Sequence, residues 1–255
     1  MQLSVSVCMA TWNGAPFLEE QLQSMLPQLL PEDELVAVDD TSHDATMAIL
    51  ERASQQSESV TIRLYQNSQN LGAIRSFERA LRLAKREIIV LCDQDDRWLP
   101  GKIKRIREVF AEDAAATLVL SDAQIIDGAG QIMAPSWTAT RPYRSGLLAN
   151  VAKNTFLGCT MGFRRSSLAY CLPIPAGAPM HDQWIGTLHT IFGKIVYLDE
   201  PLIQYRRHGG NATADNHASW AQMAQWRLDL IRNLVARWWQ VSRSSRRRIL
   251  LPSVF

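Results

Sequence analysis

Along the first half of the chain the apolar residues switch repeatedly between short unbroken runs and three-to-four spacing. Leu3 to Met9 predicts a strand, followed by a turn at Thr11-Trp12-Asn13-Gly14. Phe17, Leu18, Leu22, Met25, Leu26 and Leu29 then predict a helix over Ala15 to Leu30. Leu35 to Val38 predicts a short buried strand that stops at Asp39-Asp40, and Asp44 stands where it can cap the helix carrying Met47, Ile49 and Leu50. Val60 to Tyr65 reads as a third strand, and Asn70-Leu71-Gly72 opens a helix with Ile74, Phe77, Leu81 and Ala84 on one face. Glu87 to Cys92 is a fourth strand and stops at Asp93 to Asp96. Pro100 starts a helix with Ile103, Ile106, Val109 and Phe110 inward, and Thr117 to Leu120 predicts a fifth strand ending at Ser121-Asp122.

Strands that are apolar without alternation are buried on both faces, so this order predicts an α/β fold with a mostly parallel sheet and helices on both sides. Beyond Asp122 the pattern loosens. Ile125 to Met133, with Asp127-Gly128 inside, predicts a hairpin or irregular insert, and a glycine-containing run follows at Leu157 to Phe163. His181 to Phe192 predicts a helix, Lys194 to Leu198 and Leu202 to Arg206 two strands, and Ser219 to Val241 a long helix. The simplest parse is one domain over residues 1–213, with halves of about 1–122 and 123–213, and an amphipathic helical extension over 214–255.

Composition changes this picture little. The chain has 255 residues, an apolar fraction of 47% and a net charge of +2, so a sizeable core is expected and global charge gives no argument for nucleic acid. Four cysteines stand far apart in apolar stretches, which favours packed, reduced thiols over disulfides or zinc. The N-terminus lacks a basic segment and a signal-like apolar stretch, and no run is long enough to span a bilayer. The expectation is a cytoplasmic protein, at most peripheral on a membrane.

In an open α/β sheet ligands bind beyond the carboxyl ends of the strands. Three predicted strand ends carry acids: Asp39-Asp40, Asp93 to Asp96, and Asp122. Three carboxylates within four residues repel one another unless neutralised, and a divalent cation with hard oxygen ligands, Mg2+ or Mn2+, does so. The cluster read alone also fits a solvated turn with Asp96 capping the helix after Pro100.

Six segments in order carry a family resemblance. They are Ser6 to Gly14 with Thr11-Trp12-Asn13; Val38-Asp39-Asp40-Thr41-Ser42-His43-Asp44-Ala45-Thr46; Asn70-Leu71-Gly72; Asp93-Gln94-Asp95-Asp96-Arg97-Trp98-Leu99-Pro100-Gly101-Lys102; His181-Asp182-Gln183-Trp184; and Tyr205-Arg206-Arg207-His208-Gly209-Gly210-Asn211. Together they resemble inverting family 2 glycosyltransferases, in particular a rhamnosyltransferase-like branch, over roughly residues 3–213. The resemblance implies a GT-A fold with a Rossmann-like sheet and a nucleotide-diphosphate sugar donor, and it leans toward dTDP-rhamnose. It implies a glycan or lipid-linked saccharide acceptor in cell-surface polysaccharide synthesis. It places Thr11, Asn13, Asp39, Asp40, Asn70 and Gly72 on the nucleotide side and Asp93 near the ribose or diphosphate. Asp95 and His208 become metal ligands, Arg206 a diphosphate partner, and Asp182 the general base.

Each residue also has a plainer reading. Asp182 alone would be a first-turn acid at a helix N-terminus, and His208 alone a solvated loop residue. Thr41 stands where the family pattern has glycine, which predicts a different turn or a negative φ there. An α/β phosphatase also places Asp after parallel strands, but Arg97 occupies its motif's Thr position and the cluster follows the fourth strand. A nucleotide-sugar-binding protein without catalysis is the other alternative. Trp220, Trp226, Trp238 and Trp239 with seven arginines in the C-terminal stretch suit an anionic membrane surface, or a helix packed on the domain.

Overall fold

The structure, a computed structural model, describes residues 2–209 and 219–250. Gly210, Asn211, His217 and the 213/214 boundary lie outside the described residues. Strand β1 (Val5–Thr11) leads into helix α1 (Ala15–Met25), then β2 (Glu34–Asp39), α2 (Thr46–Gln56), β3 (Thr61–Gln66), α3 (Ala73–Leu83) and β4 (Ile88–Cys92). These strands form the all-parallel part of the sheet, in the order β3-β2-β1-β4. The predicted first helix ends early, at Met25, and passes into a short 3-10 turn over Leu26–Gln28, where Pro27 has no N–H to continue it.

The second half is mixed. After β5 (Arg97–Trp98) and α4 (Lys102–Glu112) come β6 (Leu118–Ile126), β7 (Ile132–Ala134), α5 (Leu147–Ala152), β8 (Met161–Arg164), α6 (Leu168–Cys171), α7 (His181–Phe192), β9 (Ile195–Arg206) and α8 (Trp220–Leu250). The sheet continues from β4 as β8-β6-β9-β5, with β7 hairpinned onto β6. Strand β8 is antiparallel to both β4 and β6, β5 is antiparallel to β9, and β6 and β9 are parallel. The expected parallel sheet therefore holds for the first four strands and gives way to a mixed arrangement beyond β4. Strand β6 does not stop at Ser121-Asp122; it runs on through register shifts there. Asp122 is tolerated inside it because its Oδ1 accepts N–H bonds from Ala123 (2.7 Å) and Thr138 (3.0 Å). The two strands expected over 194–206 are one, which keeps pairing with β6 past Pro201 through the same shifts.

Helices cover both sheet faces. Val5, Val7 and Met9 pack with Leu18, Leu22, Ile49, Ile106 and Phe110 on one side, whereas Cys8, Val36 and Val38 pack with Phe77, Leu81, Trp184 and Leu188 on the other. Helix α8 joins that second core through Leu230 and Leu234. Its Arg237, 7% exposed, donates to the carbonyls of Tyr170, Leu172 and Pro173 and lies over the Trp184 ring. The packing alternative thus describes one face of α8, while Trp226, Trp238 and Trp239 remain exposed.

Candidate active site

Parallel register brings the carboxyl ends of β1, β2 and β4 side by side, with Thr11 opposite Asp39. Beyond them lies a cleft of about 440 Å³, bounded across the fold by α7. Thr11, Asp40, Asn70, Gly72, Asp93, Asp95 and Asp182 all line it. Seven residues spread over most of the chain thus converge on one cavity.

One end is built around the Asp pair. Asp39 is fully buried and accepts from Thr11 Oγ1 (3.0 Å), Ser42 Oγ (2.5 Å) and N (2.9 Å), and Gln66 Nε2 (3.1 Å). It fixes Thr11 and the following turn rather than facing the cleft. Asp40 accepts from Asn67 Nδ2 (2.7 Å) and from the N–H groups of Leu71 (2.8 Å) and Gly72 (2.7 Å), tying β2 to the start of α3. Gly72 has φ +80°, a conformation open to glycine at little cost. The Asn70 carboxamide, in the orientation that satisfies its hydrogen bonds, accepts from Trp12 Nε1 at 3.0 Å. Asn13 departs from its expected nucleotide contact. It sits at φ +48° and spends its Oδ1 on the His43 N–H (2.9 Å), knitting the β1 turn to the β2 loop. Thr41 has φ +61°, so the turn keeps its left-handed form without glycine, contrary to the negative φ expected.

The β4 segment is cross-braced. Gln94 Oε1 accepts from Trp12 N–H (2.8 Å) and its Nε2 donates to Trp12 O (3.0 Å). A Cβ on Gly14 would stand 2.2 Å from Gln94 Oε1, which explains a glycine there. Asp95 is nearly buried, and its Oδ2 lies 2.9 Å from His208 Nε2. Asp96 is not the helix cap expected of it: α4 begins only at Lys102, behind Gly101 at φ +88°. Asp96 instead points inward, fully buried, and accepts the Arg206 N–H at 2.9 Å.

Burial pushes the Asp93 carboxyl well above the usual range, and the charges of Asp96, Asp95 and Asp182 add to it. Burial, then the Asp95 charge, raises Asp96 to about 7. The balancing cation is Lys102, fully buried, with Nζ 2.5 Å from Cys159 O and 4.4 Å from the Trp98 ring centroid. Lys102 carried no assigned role in the sequence; its only signal was its place in the acidic motif.

Arg206 does not reach toward a diphosphate. Its guanidinium is buried over Phe17, pairs with Glu20, and donates to the carbonyls of Asp95 (2.8 Å), Asp127 (3.4 Å) and Gly128 (3.3 Å). It braces the acidic loop from behind.

Among the described residues, two donor sets could hold a cation. Asp93, Asp96 and Cys159 offer ligand atoms within 4.8 Å of one another. That set suits Mg2+ or Mn2+ poorly: one member is a buried thiol whose pKa burial raises well above its usual value, and Lys102 already stands there. Asp95 with His208 offers a carboxylate and an imidazole at the cleft edge, a donor pair that suits a divalent ion.

Asp182 opens α7, as the sequence predicted, and faces the acidic cluster across the cleft. Its Oδ1 accepts the Gln183 N–H at 2.5 Å and Asn154 Nδ2 at 3.5 Å. Burial raises its pKa to about 6, with the hydrogen bonds from Gln183, Gly158 and Asn154 opposing. A carboxylate near 6 is mostly ionised at neutral pH and a stronger base than an ordinary one. The cleft walls that the sequence left unassigned include Phe77, Leu157, Met180, His181 and Tyr205.

The chain belongs to glycosyl transferase family 2, whose model matches residues 6–171. An uncharacterized glycosyltransferase of Nostoc sp. (strain PCC 7120) is 28% identical over 85% of this chain. A protein named for teichuronic acid biosynthesis, TuaG of Bacillus subtilis, is 29% identical over 61% of it. The chain spans 67% and 59% of the lengths of these two relatives. Among solved structures, S. aureus TarS 1-349 in complex with UDP-GlcNAc superposes with a TM-score of 0.68 at 20% identity, over 93% of this chain and 66% of that one. The mannosyltransferase PcManGT of Pyrobaculum calidifontis, solved with GDP-Man and Mn2+, gives 0.63 at 20% identity, over 84% and 59%. The GT-A glycosyltransferase fold expected from the motifs is thus the fold observed.

Proposed function

We propose that this chain catalyses inverting transfer of a sugar from a nucleotide-diphosphate donor to a hydroxyl of a glycan or lipid-linked saccharide, in the synthesis of a surface polysaccharide. The observation that carries the reading is the placement of Asp182, raised to about 6, across one cleft from Asp93 and Asp95, with Thr11 and Asp40 at its other end. The base end of the donor lies along Thr11 and Asp40, and Asp93 takes the ribose or diphosphate. Asp95 and His208 would hold a divalent ion, which would supply Lewis-acid neutralisation of charge on the nucleoside diphosphate leaving group. Asp182 takes the proton of the acceptor hydroxyl as that oxygen attacks the anomeric carbon from the face opposite the diphosphate, which inverts the centre. Trp12, 52% exposed, stands at the nucleotide end as an aromatic platform.

The names of TuaG and of TarS with UDP-GlcNAc support the polysaccharide and nucleotide-sugar parts of the reading. The motif resemblance favours a dTDP-linked 6-deoxyhexose such as rhamnose as donor. No described helix is long and apolar enough to cross a membrane; we propose that α8 rests on an anionic membrane surface. The test is a donor screen across UDP-, GDP- and dTDP-sugars with Mn2+ and Mg2+, reading nucleoside-diphosphate binding and release. At least one donor binds in a metal-dependent way, and Asp95→Ala removes that dependence; the reading fails if no nucleotide sugar binds.

A further inference from the structure

We propose that the His181 imidazole hydrogen-bonds a hydroxyl of the donor sugar and is the residue that reads which sugar occupies the cleft. This rests on the reading above, that the cleft holds a nucleotide sugar.

His181 lines the cleft beside Asp182, is 6% exposed, and stacks on Phe77 with ring centroids 4.1 Å apart and planes at 22°. Neither ring nitrogen has a hydrogen-bond partner among the described residues. Its polar neighbours on the wall differ. Asp182 is held by Gln183 and Asn154, Asp40 by Asn67, Leu71 and Gly72, and Thr11 by Asp39. A buried polar group without a partner is costly, and such groups concentrate where a ligand supplies the missing bond.

The chemistry of the ring selects the ligand group. Burial lowers the His181 pKa to about 4, so the ring is neutral at pH 7 and presents one donor and one acceptor nitrogen. A hydroxyl both accepts and donates and matches that pair; a phosphate oxygen only accepts. Phe77, Leu157 and Met180 supply apolar wall around it, as a sugar ring's C–H faces require. Gly158 keeps the spot clear: a Cβ there would stand 3.2 Å from His181 Nε2 and 3.4 Å from Asp182 Cβ. The ring also faces the donor half. It packs on α3, and Leu71 and Gly72 just before that helix hold Asp40, whereas consecutive side chains on a helix diverge by about 100° and turn Asp182 to another part of the cleft.

The experiment is calorimetric titration, with Mn2+, of UDP, GDP and dTDP and of their glucose, N-acetylglucosamine, mannose and rhamnose conjugates into the wild type, His181→Phe and His181→Gln. His181→Phe weakens the preferred nucleotide sugar about tenfold, leaves its bare nucleoside diphosphate within about twofold, and flattens the preference among sugars. His181→Gln, which can both donate and accept, recovers part of the loss. The melting temperature of His181→Phe does not fall, because it removes two unpaired buried nitrogens. Equal weakening of nucleotide and nucleotide sugar, or no change in either, overturns the assignment. Failure of the wild type to bind any nucleotide would instead defeat the functional reading, and this inference with it.

Discussion

His208 Nε2 lies 2.9 Å from Asp95 Oδ2, although 113 residues separate the two in the chain. The contact closes the acidic loop after β4 against the end of β9, and Arg206 holds both sides by donating to the Asp95 carbonyl and through its N–H to Asp96. A preformed carboxylate–imidazole pair at the cleft edge needs little rearrangement to accept a divalent ion. His208→Ala therefore lowers Mn2+ affinity about 10–100-fold, while Asp95→Ala abolishes metal-dependent donor binding. Calorimetry with Mn2+ in the presence of nucleoside diphosphate reads both. Unchanged Mn2+ affinity in His208→Ala would remove this residue from the metal site.

The carboxyl proposed as the base, Asp182, also destabilises the fold. Its folded pKa of about 6 exceeds the ordinary 3.8, so ionisation disfavours the folded state. The neutral carboxyl is at no disadvantage below pH 4, and the cost grows as pH rises toward 6 and is complete above it. Asp182→Asn, neutral throughout, is then more stable than the wild type by roughly 2–3 kcal/mol at pH 8 and equal to it near pH 4. The same variant binds nucleoside diphosphate normally but loses about 10²–10⁴-fold in transfer. In the wild type kcat/KM falls tenfold per pH unit below about 6 and levels off above it. Urea unfolding and a pH–rate profile check the two halves; a variant no more stable at pH 8 than at pH 4 contradicts the burial argument.

How much of this was legible beforehand depended on how local the cause was. The strand ends at Asp39 and Cys92 and the helix beginning at His181 follow from local periodicity and were readable. The antiparallel entry of β8 and the continuation of β6 past Asp122 depend on non-local pairing, which no window of residues reveals. The site divides the same way. Asp40, Asp95 and Asp182, singled out in their motifs, line one cleft. Arg206 and Asn13 share those motifs yet face partners elsewhere, Glu20 and His43, that spacing alone cannot supply. Lys102 drew no role beyond its place in the motif because a lysine at a helix start reads as solvated, and only tertiary packing buries it.

Thr41 carries backbone strain next to the nucleotide end. A β-branched residue at φ +61° costs about 1–2 kcal/mol relative to a relaxed backbone, offset in part by its Oγ1 bond to Asp40 O at 2.5 Å. Thr41→Gly relieves the strain and raises stability by about 1 kcal/mol, or roughly 2–4 °C in melting temperature for a chain of this size. Donor binding stays unchanged, because the Asp40 carboxylate is held by Asn67, Leu71 and Gly72 and not by Thr41. Differential scanning calorimetry decides the point; a fall in melting temperature would mean the hydroxyl bond outweighs the strain.

Helix α8 leaves apolar surface uncovered. Leu228, Ile231, Val235, Trp238 and Trp239 share one exposed face at helical spacing, beside the face that buries Leu230, Leu234 and Arg237. Arg232 and Arg243 border that stripe, and the Arg243 guanidinium lies 5.9 Å from the Trp239 ring centroid. Apolar faces edged by arginine suit the headgroup layer of an anionic bilayer, where indole rings settle and guanidinium groups meet lipid phosphate. The protein therefore sediments with vesicles containing phosphatidylglycerol and much less with pure phosphatidylcholine, and raised salt weakens the binding. Substituting Trp238 and Trp239 together by serine lowers the bound fraction without lowering the melting temperature, since neither ring belongs to the core. Sedimentation indifferent to anionic lipid and to the two tryptophans would leave this face to a protein partner instead.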